Sequence, residues 1–341
     1  MKILVLSTPI MQLPPPGYSG LEWLVAQWSR RFANAGHEVS VVAPEGSNLG
    51  PDIEIIAIPP GQQEEAAFVV YRERLQSGEF DVVLDSTWQW WSVIAQMDSS
   101  KQLPVIHIWH SDYNGVTTPP PIQYPCLVGL SKDHAMGIAR RTGWPVKRVY
   151  NGIDLDFYTY DPSVERGDRY LWLARYTPEK APMEAISLAR KCRIALDMYG
   201  DTSIVQPPDY PLRVQGLCDS HQIVFHPGVP REQTRDLYRS HKALIHLVNY
   251  QEAFGLAVVE AMACGMPVIC NRMGALPELV RHGKTGFVVD TWEEAEDIIR
   301  QDLVSNIDPM DCQRQAKKFG IEKSTQGYLK LFGEMVKGAY W

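Results

Sequence analysis

The chain of 341 residues lacks several patterns that would identify its class at once. Its six cysteines show no C-x-x-C spacing, so neither structural zinc nor a disulfide framework is expected, and a reducing compartment follows. It has no G-x-G-x-x-G motif, which disfavours a nicotinamide or flavin enzyme. No apolar run approaches the roughly 18 residues that a membrane span needs. A net charge of −7 argues against nucleic acid as a partner.

The remaining composition is that of an ordinary globular protein, with 45% hydrophobic and 21% charged residues. This length predicts two domains. The start, MKILVLSTPI, has too short an apolar run for a leader and predicts a buried first strand, so we expect a cytoplasmic protein. The basic segment RRTGWPVKR (140–148) has two interpretations. A solvated helix end is favoured over peripheral contact with an anionic acceptor or the inner membrane face.

Strand and helix patterns alternate along the whole chain, which predicts an α/β fold with parallel sheets. In the first half the predicted strands are KILVLS, EVSVVAP, FDVVLD, PVIHIWH and CLVGLS. In the second half they are YLWLARY, IALDMYGD, IVFHPGV, ALIHLV, PVIC and GFVV. The turn-rich segment 149–163 is the expected linker, and TTPPPIQYP (117–125) is an expected loop.

The segment QEAFGLAVVEAMACGMPVIC (251–270) combines a turn, a helix start and two carboxylates. Gly255 allows close approach of the backbone to a ligand, and a helix is predicted from Leu256 to Cys264. Unpaired N–H groups at a helix N-terminus favour phosphate, whereas Glu252 and Glu260 are suited to accept hydrogen bonds from hydroxyls. A nucleotide sugar has both phosphate and hydroxyl groups and therefore fits this chemistry.

The longer segment EAFGLAVVEAMACGMPVICNRMGALPELVRHGKTGFVVD resembles the donor-binding core of the retaining GT-B glycosyltransferases of the family 4 type, also called glycosyl transferases group 1. The shared features are two Glu separated by seven residues, a small-residue helix, a G-x-P-V strand and a final G-x-x-G-F. The resemblance implies two Rossmann-like domains with parallel sheets facing across a cleft. The expected boundaries are 1–152, completed by a C-terminal helix at 322–341, and 153–321 for the donor domain.

The resemblance also implies roles for residues of the second half. Arg175 and Lys180, in the segment after YLWLA, match the pair that binds the nucleotide diphosphate and stabilises the departing charge. Ala181 stands where the family has Gly, a mild departure. The ribose is assigned to Glu260 and the transferred sugar to Glu252. Further donor-binding positions are the amides of Phe254, Gly255 and Leu256, together with Gly200 and Val229 near the base and ribose.

In the first half, Ser19-Gly20 resembles the family's Gly-Gly loop, with Ser19 replacing one glycine and leaving close approach there in doubt. His110 matches the histidine that faces the sugar near the reacting centre, and Asp112 is a candidate to orient its ring. His107, inside the same strand, is expected to be structural.

Two further features have competing interpretations. Trp88, Trp90 and Trp91 are explained by core packing or by an acceptor platform that stacks on sugar faces. Asp154-Leu155-Asp156 has the form of a metal-binding D-x-D, but it continues an N-G-[IV]-D loop of the resembled family. No metal is therefore expected.

The sequence thus predicts a metal-independent glycosyltransferase that uses Glu252, His110, Arg175 and Lys180. We expect a UDP- or GDP-sugar donor, no separate cofactor, and a carbohydrate, lipid or small-molecule acceptor. A sugar-nucleotide epimerase or phosphorylase on the same fold is the alternative enzyme. A catalytically decayed nucleotide-sugar binding protein is the non-enzymatic alternative, and the departures at Ser19 and Ala181 are its support.

Overall fold

A computed structural model describes residues 1–17, 19–61, 63–89, 91–97, 99, 102–115, 123–203 and 205–341. Trp90 and most of the expected loop at 117–125 lie outside these residues. The chain divides into two compact units, unit 1 (Met1–Gly152 with Ile321–Trp341) and unit 2 (Ile153–Gly320). Each unit contains one parallel sheet with helices, so the α/β prediction is confirmed.

The sheet of unit 1 has seven parallel strands in the order β3-β2-β1-β4-β5-β6-β7. Their interiors are rich in Val, Ile and Leu and are mostly buried, as expected when helices cover both faces of a parallel sheet. The strands are β1 Lys2–Leu6, β2 Glu38–Pro44, β3 Ile53–Ile58, β4 Val82–Asp85, β5 Val105–Ile108, β6 Leu127–Gly129 and β7 Val146–Arg148.

The sheet of unit 2 has six parallel strands in the order β10-β9-β8-β11-β12-β13. The strands are β8 Tyr170–Leu173, β9 Leu196–Gly200, β10 Ile223–Pro227, β11 Leu244–His246, β12 Val268–Asn271 and β13 Gly286–Val289. All six were predicted from the sequence. In unit 1, β3 and the short strand β7 were not predicted from the sequence.

Helices lie between most consecutive strands of both units. Those of unit 1 before its last segment are α1 Gly20–Asn34, α2 Glu64–Gln76, α3 Trp91–Met97 and α4 Lys132–Thr142. Those of unit 2 are α5 Pro182–Cys192, α6 Tyr210–Gln215, α7 Arg231–Ser240, α8 Leu256–Ala263, α9 Leu276–Leu279, α10 Trp292–Arg300 and α11 Pro309–Ala316. Among the described residues, no helix is both long and apolar enough to span a bilayer.

The last helix, α12 (Ile321–Val336), belongs to unit 1 although it follows unit 2 in the chain. It packs against α1 through two edge-to-face aromatic pairs, Trp28 with Tyr328 at 5.0 Å and Phe32 with Phe332 at 5.3 Å between ring centroids. The indole of Trp28 also donates a hydrogen bond of 3.0 Å to Ser324. Unit 1 is therefore built from two separate stretches of chain.

Each sheet contains one point at which the strand order reverses. In unit 1 this point lies between β1 and β4, and in unit 2 it lies between β8 and β11. In open parallel sheets, ligands bind outside the carboxyl ends of the strands at such a point. The loops after β1 and β4 in unit 1, and after β8 and β11 in unit 2, are therefore the places to look for a site.

Candidate active site

The loops after β8 and β11 are joined to each other by backbone contacts. The N–H of Asn249 donates to the carbonyl of Glu179 at 2.8 Å. The indole of Trp172, in β8, donates to the carbonyl of Lys180 at 3.2 Å. These bonds fix the backbone from which the charged side chains of both loops extend.

Lys180 and Glu252 form a partly buried ion pair where these loops meet. Nζ of Lys180 lies 3.0 Å from Oε2 of Glu252, and both side chains are at least 85% buried. The same Lys180 ammonium donates to the hydroxyl of Tyr250. Nε2 of His246, the last residue of β11, lies 3.2 Å from the same Oε2 of Glu252. The ammonium of Lys180 and the imidazole of His246 therefore both contact the same oxygen of Glu252.

The electrostatics of this cluster keep Glu252 ionised. Burial opposes the charge, but the ammonium of Lys180 and the hydrogen bond from His246 outweigh it and hold the pKa of Glu252 well below its usual range. The pKa of Tyr250 is raised well above its usual value by burial and by the negative charge of Glu252. At neutral pH the cluster thus contains a carboxylate, an ammonium and a neutral phenol.

A turn after β12 holds the backbone that carries Glu252. Gly274 has φ +56°, and a Cβ added there would lie 2.3 Å from the carbonyl oxygen of Glu252. Its N–H donates a hydrogen bond of 2.8 Å to Oε1 of Gln251. The N–H of Ala275 donates to the carbonyl of Glu252 at 2.8 Å. Only glycine permits this close approach.

Helix α8 begins at Leu256, shortly after Glu252, and its N-cap is Gly255, whose φ of +97° favours glycine. The helix ends at Ala263, one residue before the predicted end at Cys264, which is its C-cap. Within the described part of the chain, the N–H groups of Gly255 and Leu256 donate to no other residue. Phe254 is 2% exposed and packs against Phe319. The helix N-terminus therefore presents amide donors next to the Glu252 loop.

Arg175 and Ala181 lie at the two ends of the loop after β8. The guanidinium of Arg175 is about half exposed and lies 3.9 Å from the carboxylate of Glu179. Ala181 is fully buried and has φ +52°, ψ +45°. Because this left-handed conformation suits glycine best, the geometry explains why the resembled family has Gly at this position.

The remaining donor positions have structural partners of their own. Glu260 is 6% exposed, and its Oε2 accepts a hydrogen bond of 3.1 Å from the hydroxyl of Tyr238. Gly200 ends β9, and a Cβ there would lie 1.9 Å from the carbonyl oxygen of Ala174. Close packing alone therefore requires Gly200. Val229 is partly buried in the loop after β10. The ligand roles of these three residues stay predictions.

In unit 1, Ser19 and Gly20 form the start of α1. Ser19 is the N-cap residue, with an extended φ of −148° that any residue adopts, so its backbone does not require glycine. Its hydroxyl donates to Oε2 of Glu22, whose Oε1 accepts a 2.6 Å bond from Thr8. The replacement of one glycine by Ser19 thus leaves this turn well formed.

His110 follows β5, and its Nε2 is shielded from solvent and makes no hydrogen bond with any described residue. Burial, then the neighbouring His107 and His134, lowers the pKa of His110 to about 3. Its ring is therefore neutral at physiological pH. Asp112 does not orient this ring, contrary to the suggestion from sequence. Its carboxylate instead accepts hydrogen bonds from the backbone N–H and side-chain amide of Asn114.

His107 is buried in a pair with Asp85, with 3.1 Å between Nδ1 and Oδ2, which fits the structural role expected for it. Asp85 also accepts bonds from the side chains of Ser92 and Thr87 and from the backbone N–H of Thr87. The charge of Asp85 is thus used within unit 1 to fix the loop after β4.

Glu64, the first residue of α2, also binds the loop after β4. Its two carboxylate oxygens accept the backbone N–H groups of Trp88 and Gln89, both at 2.7 Å. Burial raises the pKa of Glu64, and the nearby Asp85 adds to this effect. The indole of Trp88 is 44% exposed, whereas Trp91 stacks on Phe68 at 5.5 Å in the core. Of the tryptophans that the structure describes in this cluster, only Trp88 suits the acceptor-platform interpretation.

Asp154 has a structural explanation. Its Oδ1 accepts the backbone N–H groups of Asp156 and Phe157 at 3.2 Å, and its Oδ2 lies 3.7 Å from Arg231. The basic segment is also partly engaged, because Arg141 donates to Asn114 and Lys147 binds Glu334 at 2.7 Å.

His246, Tyr250 and Asp85 were not among the site residues predicted from the sequence. The first two lie within six residues of Glu252, in HLVNYQE, and His246 interrupts an apolar run. Asp85 ends the apolar run of β4. A polar residue at the end of a buried strand is the signal that could have found them.

Two family models match the chain. One, described as Glycosyl transferases group 1, matches residues 163–319, and the other, described as Glycosyltransferase Family 4, matches residues 18–157. Together with the two parallel sheets, they define a glycosyltransferase of the GT-B fold.

Known proteins agree with this class. A D-inositol 3-phosphate glycosyltransferase of Frankia alni is 25% identical over 346 residues, which cover 83% of this chain and 85% of that protein. The crystal structure of AviGT4, a glycosyltransferase involved in avilamycin A biosynthesis, matches with a TM-score of 0.77 at 23% identity, over 100% of this chain and 99% of that one. Anabaena HepE, solved in complex with UDP and glucose, matches with a TM-score of 0.76 at 18% identity, over 98% and 100%. The chain belongs to the group 1, or family 4, glycosyltransferases.

Proposed function

We propose that this glycosyltransferase moves a sugar from a UDP- or GDP-linked donor to a carbohydrate, lipid or small-molecule acceptor, with retention at the anomeric carbon and without a metal ion. The observation that carries the proposal is the Lys180–Glu252 pair at the strand-order reversal of unit 2. A fixed cation beside a fixed carboxylate suits a ligand that has both a diphosphate and sugar hydroxyls.

In the proposed complex, Lys180 and Arg175 bind the diphosphate. Arg175 is half exposed and weakly paired, so its guanidinium can move to a ligand phosphate with little loss. As the glycosidic bond breaks, negative charge grows on the diphosphate, and these two cations stabilise it. The free N–H groups of Gly255 and Leu256 add hydrogen-bond donors at the same place.

The two glutamates hold hydroxyls and are not the nucleophile. Glu252 binds the transferred sugar and Glu260 the ribose. Because Lys180 keeps Glu252 ionised, its oxygens can only accept hydrogen bonds, as contact with sugar hydroxyls requires. The leaving phosphate itself then takes part in deprotonating the acceptor. Residues Phe254, Gly200 and Val229 complete the proposed donor site.

Unit 1 contributes Ser19, Gly20 and His110 in this proposal. The neutral ring of His110 has an unused Nε2 that is suited to a hydrogen bond with a sugar hydroxyl. The departure at Ser19 no longer supports the alternative of a catalytically decayed nucleotide-sugar binding protein, because the backbone at this position does not require glycine. We also propose a cytoplasmic location, with at most peripheral contact at the inner membrane face.

The test is a screen of UDP- and GDP-sugars by mass spectrometry, with and without pooled sugar, lipid and small-molecule acceptors. We expect nucleoside diphosphate release that depends on acceptor, persists in EDTA, and gives a product whose anomeric configuration by proton NMR equals that of the donor. An isomerised donor without release would indicate an epimerase, and phosphate-dependent release a phosphorylase. An inverted product would overturn retention.

A further inference from the structure

The imidazole of His246 lies behind the proposed sugar-binding carboxylate and is not assigned by the family resemblance. It ends β11, is 5% exposed, and pairs in register with Cys270 of the neighbouring strand β12. Its ring is thus attached to an interior strand of the sheet, which gives it a more rigid support than a loop would.

We infer that His246 is a positioning residue that holds one oxygen of Glu252, so that the other oxygen faces the hydroxyls of the transferred sugar. This role rests on the proposed function. Nε2 of His246 and Nζ of Lys180 both contact Oε2 of Glu252, at 3.2 Å and 3.0 Å. The hydroxyl of Tyr250 is a further hydrogen-bond partner of this carboxylate. A carboxylate only accepts, so the His246 ring carries its proton on Nε2.

The terminal torsion of glutamate explains why a fixed donor matters. The last torsion of a glutamate side chain is broad and roughly two-fold, so packing alone orients the carboxylate weakly. A donor on one oxygen removes this freedom and selects which oxygen meets the ligand. Sugar hydroxyls are recognised at hydrogen-bond distance, where a displacement of about 1 Å reduces turnover strongly.

Lys180 cannot provide this orientation by itself throughout the reaction. Its ammonium contacts both Tyr250 and Glu252 and extends on a flexible four-carbon stem. In the proposed complex it also binds the diphosphate, which competes with Glu252 for its protons. The imidazole of His246 does not bind the diphosphate in the proposed complex, so its hydrogen bond to Oε2 of Glu252 is kept when the nucleotide sugar binds.

Two substitutions separate hydrogen bonding from packing. H246L removes the donor but keeps an apolar side chain of similar size, whereas H246Q restores an N–H group at about the reach of Nε2. The matched control is His241 in the same unit, whose Nε2 lies 3.0 Å from Asp197 and whose side chain is similarly buried. H241L removes a comparable histidine–carboxylate bond that involves neither Glu252 nor Lys180.

Calorimetry compares the affinity of each variant for UDP-glucose with its affinity for UDP. If the wild type prefers guanine nucleotides, GDP-mannose and GDP are used instead. Steady-state kinetics gives kcat and KM for the same variants. For H246L we expect affinity for the sugar nucleotide to fall about tenfold while affinity for the free diphosphate changes less than about twofold, and kcat/KM to fall about ten- to a hundredfold. H246Q should recover most of this loss. H241L should lower thermal stability and leave the ratio of the two affinities at the wild-type value.

The outcomes are distinguishable. Unchanged sugar-nucleotide affinity and kcat/KM in H246L would overturn the positioning role and leave the proposed function intact. Equal losses in H246L and H246Q would show that the ring acts through packing and would also overturn the role. A wild-type protein that binds none of these nucleotide sugars would overturn the proposed function, and the role of His246 with it.

Discussion

The carboxyl ends of the two sheets contain similar residue types but use them differently. In unit 1, Asp85 and Glu64 are buried and bind backbone and side-chain groups of the loop after β4. In unit 2, Lys180 and Glu252 bind each other and their neighbours Tyr250 and His246, on backbone that is fixed separately.

This difference indicates what each set of charges does. A carboxylate that accepts backbone N–H groups is fully used by the fold, and its removal unfolds a loop. A lysine–glutamate pair between two side chains can exchange partners when a ligand arrives, because no backbone group depends on it. We therefore expect substitutions in unit 2 to act first on activity and those in unit 1 to act first on stability.

Lys180→Ala should give the largest effect. It removes the cation expected to face the growing charge of the diphosphate, and kcat/KM should fall about a hundred- to a thousandfold. Lys191→Ala is the control, since Lys191 forms an exposed pair with Glu296 at 2.7 Å. Steady-state kinetics with the best donor checks this prediction, and a loss of less than about threefold would remove Lys180 from the proposed mechanism.

Asp85→Ala should act on stability in unit 1. It leaves His107 buried without its carboxylate and frees the N–H of Thr87, so the free energy of unfolding should fall by about 3 kcal/mol or more. Asp52→Ala, at an exposed position, should change it by less than about 0.5 kcal/mol. Urea unfolding followed by fluorescence measures both. Equal small effects would contradict the structural role of Asp85.

Gly274→Ala should affect stability and activity together. A methyl group there would lie 2.3 Å from the carbonyl of Glu252, so the loop must move, and we expect a loss of about 2 kcal/mol. Gly283→Ala also places alanine at positive φ, +70°, but in open space, and should cost about 1 kcal/mol with normal kinetics. Similar results for the two variants would show that backbone strain, and not the contact with Glu252, decides the effect.

His110→Gln should change the pH dependence of stability. The pKa of His110 is lowered from 6.5 to about 3 in the folded protein. Between these two pH values the unfolded chain binds a proton at this residue and the folded protein does not. Stability from this group is complete above about pH 6.5 and decreases as pH falls toward 3. The variant should therefore lose less stability than the wild type between pH 6.5 and 4. Urea titrations at several pH values measure the slope, and an unchanged slope would contradict a neutral, buried His110.

Ala181→Gly should give the smallest effect. Relief of the left-handed backbone is worth about 1 kcal/mol, but the loss of a buried methyl group and the greater freedom of the unfolded chain offset it by about as much. Thermal unfolding and kinetics should both stay close to the wild type. A tenfold gain in activity would show that Ala181 impairs the site.

The sequence predicted the α/β fold, all strands of unit 2 and the family, because apolar runs and the Glu-containing helix start are local patterns. It missed β3 although IEIIAI is a strong apolar run. His246 and Tyr250 could not be tied to Glu252 from spacing alone, because their contacts depend on how the chain folds between β11 and α8. Asp112 was assigned to His110 from proximity in sequence, whereas a local turn directs its carboxylate to Asn114.

The return of α12 to unit 1 has a consequence for synthesis of the chain. Unit 2 is one uninterrupted stretch of chain, whereas the final helix of unit 1 is synthesised only after all of unit 2. At about 5–20 residues per second, a ribosome takes roughly ten to thirty seconds to translate the stretch between the two parts of unit 1. During that interval Trp28 and Phe32 lack the aromatic partners that α12 supplies. The nascent first 152 residues are therefore the portion that a chaperone is most apt to bind, and unit 2 can complete its fold before unit 1 does.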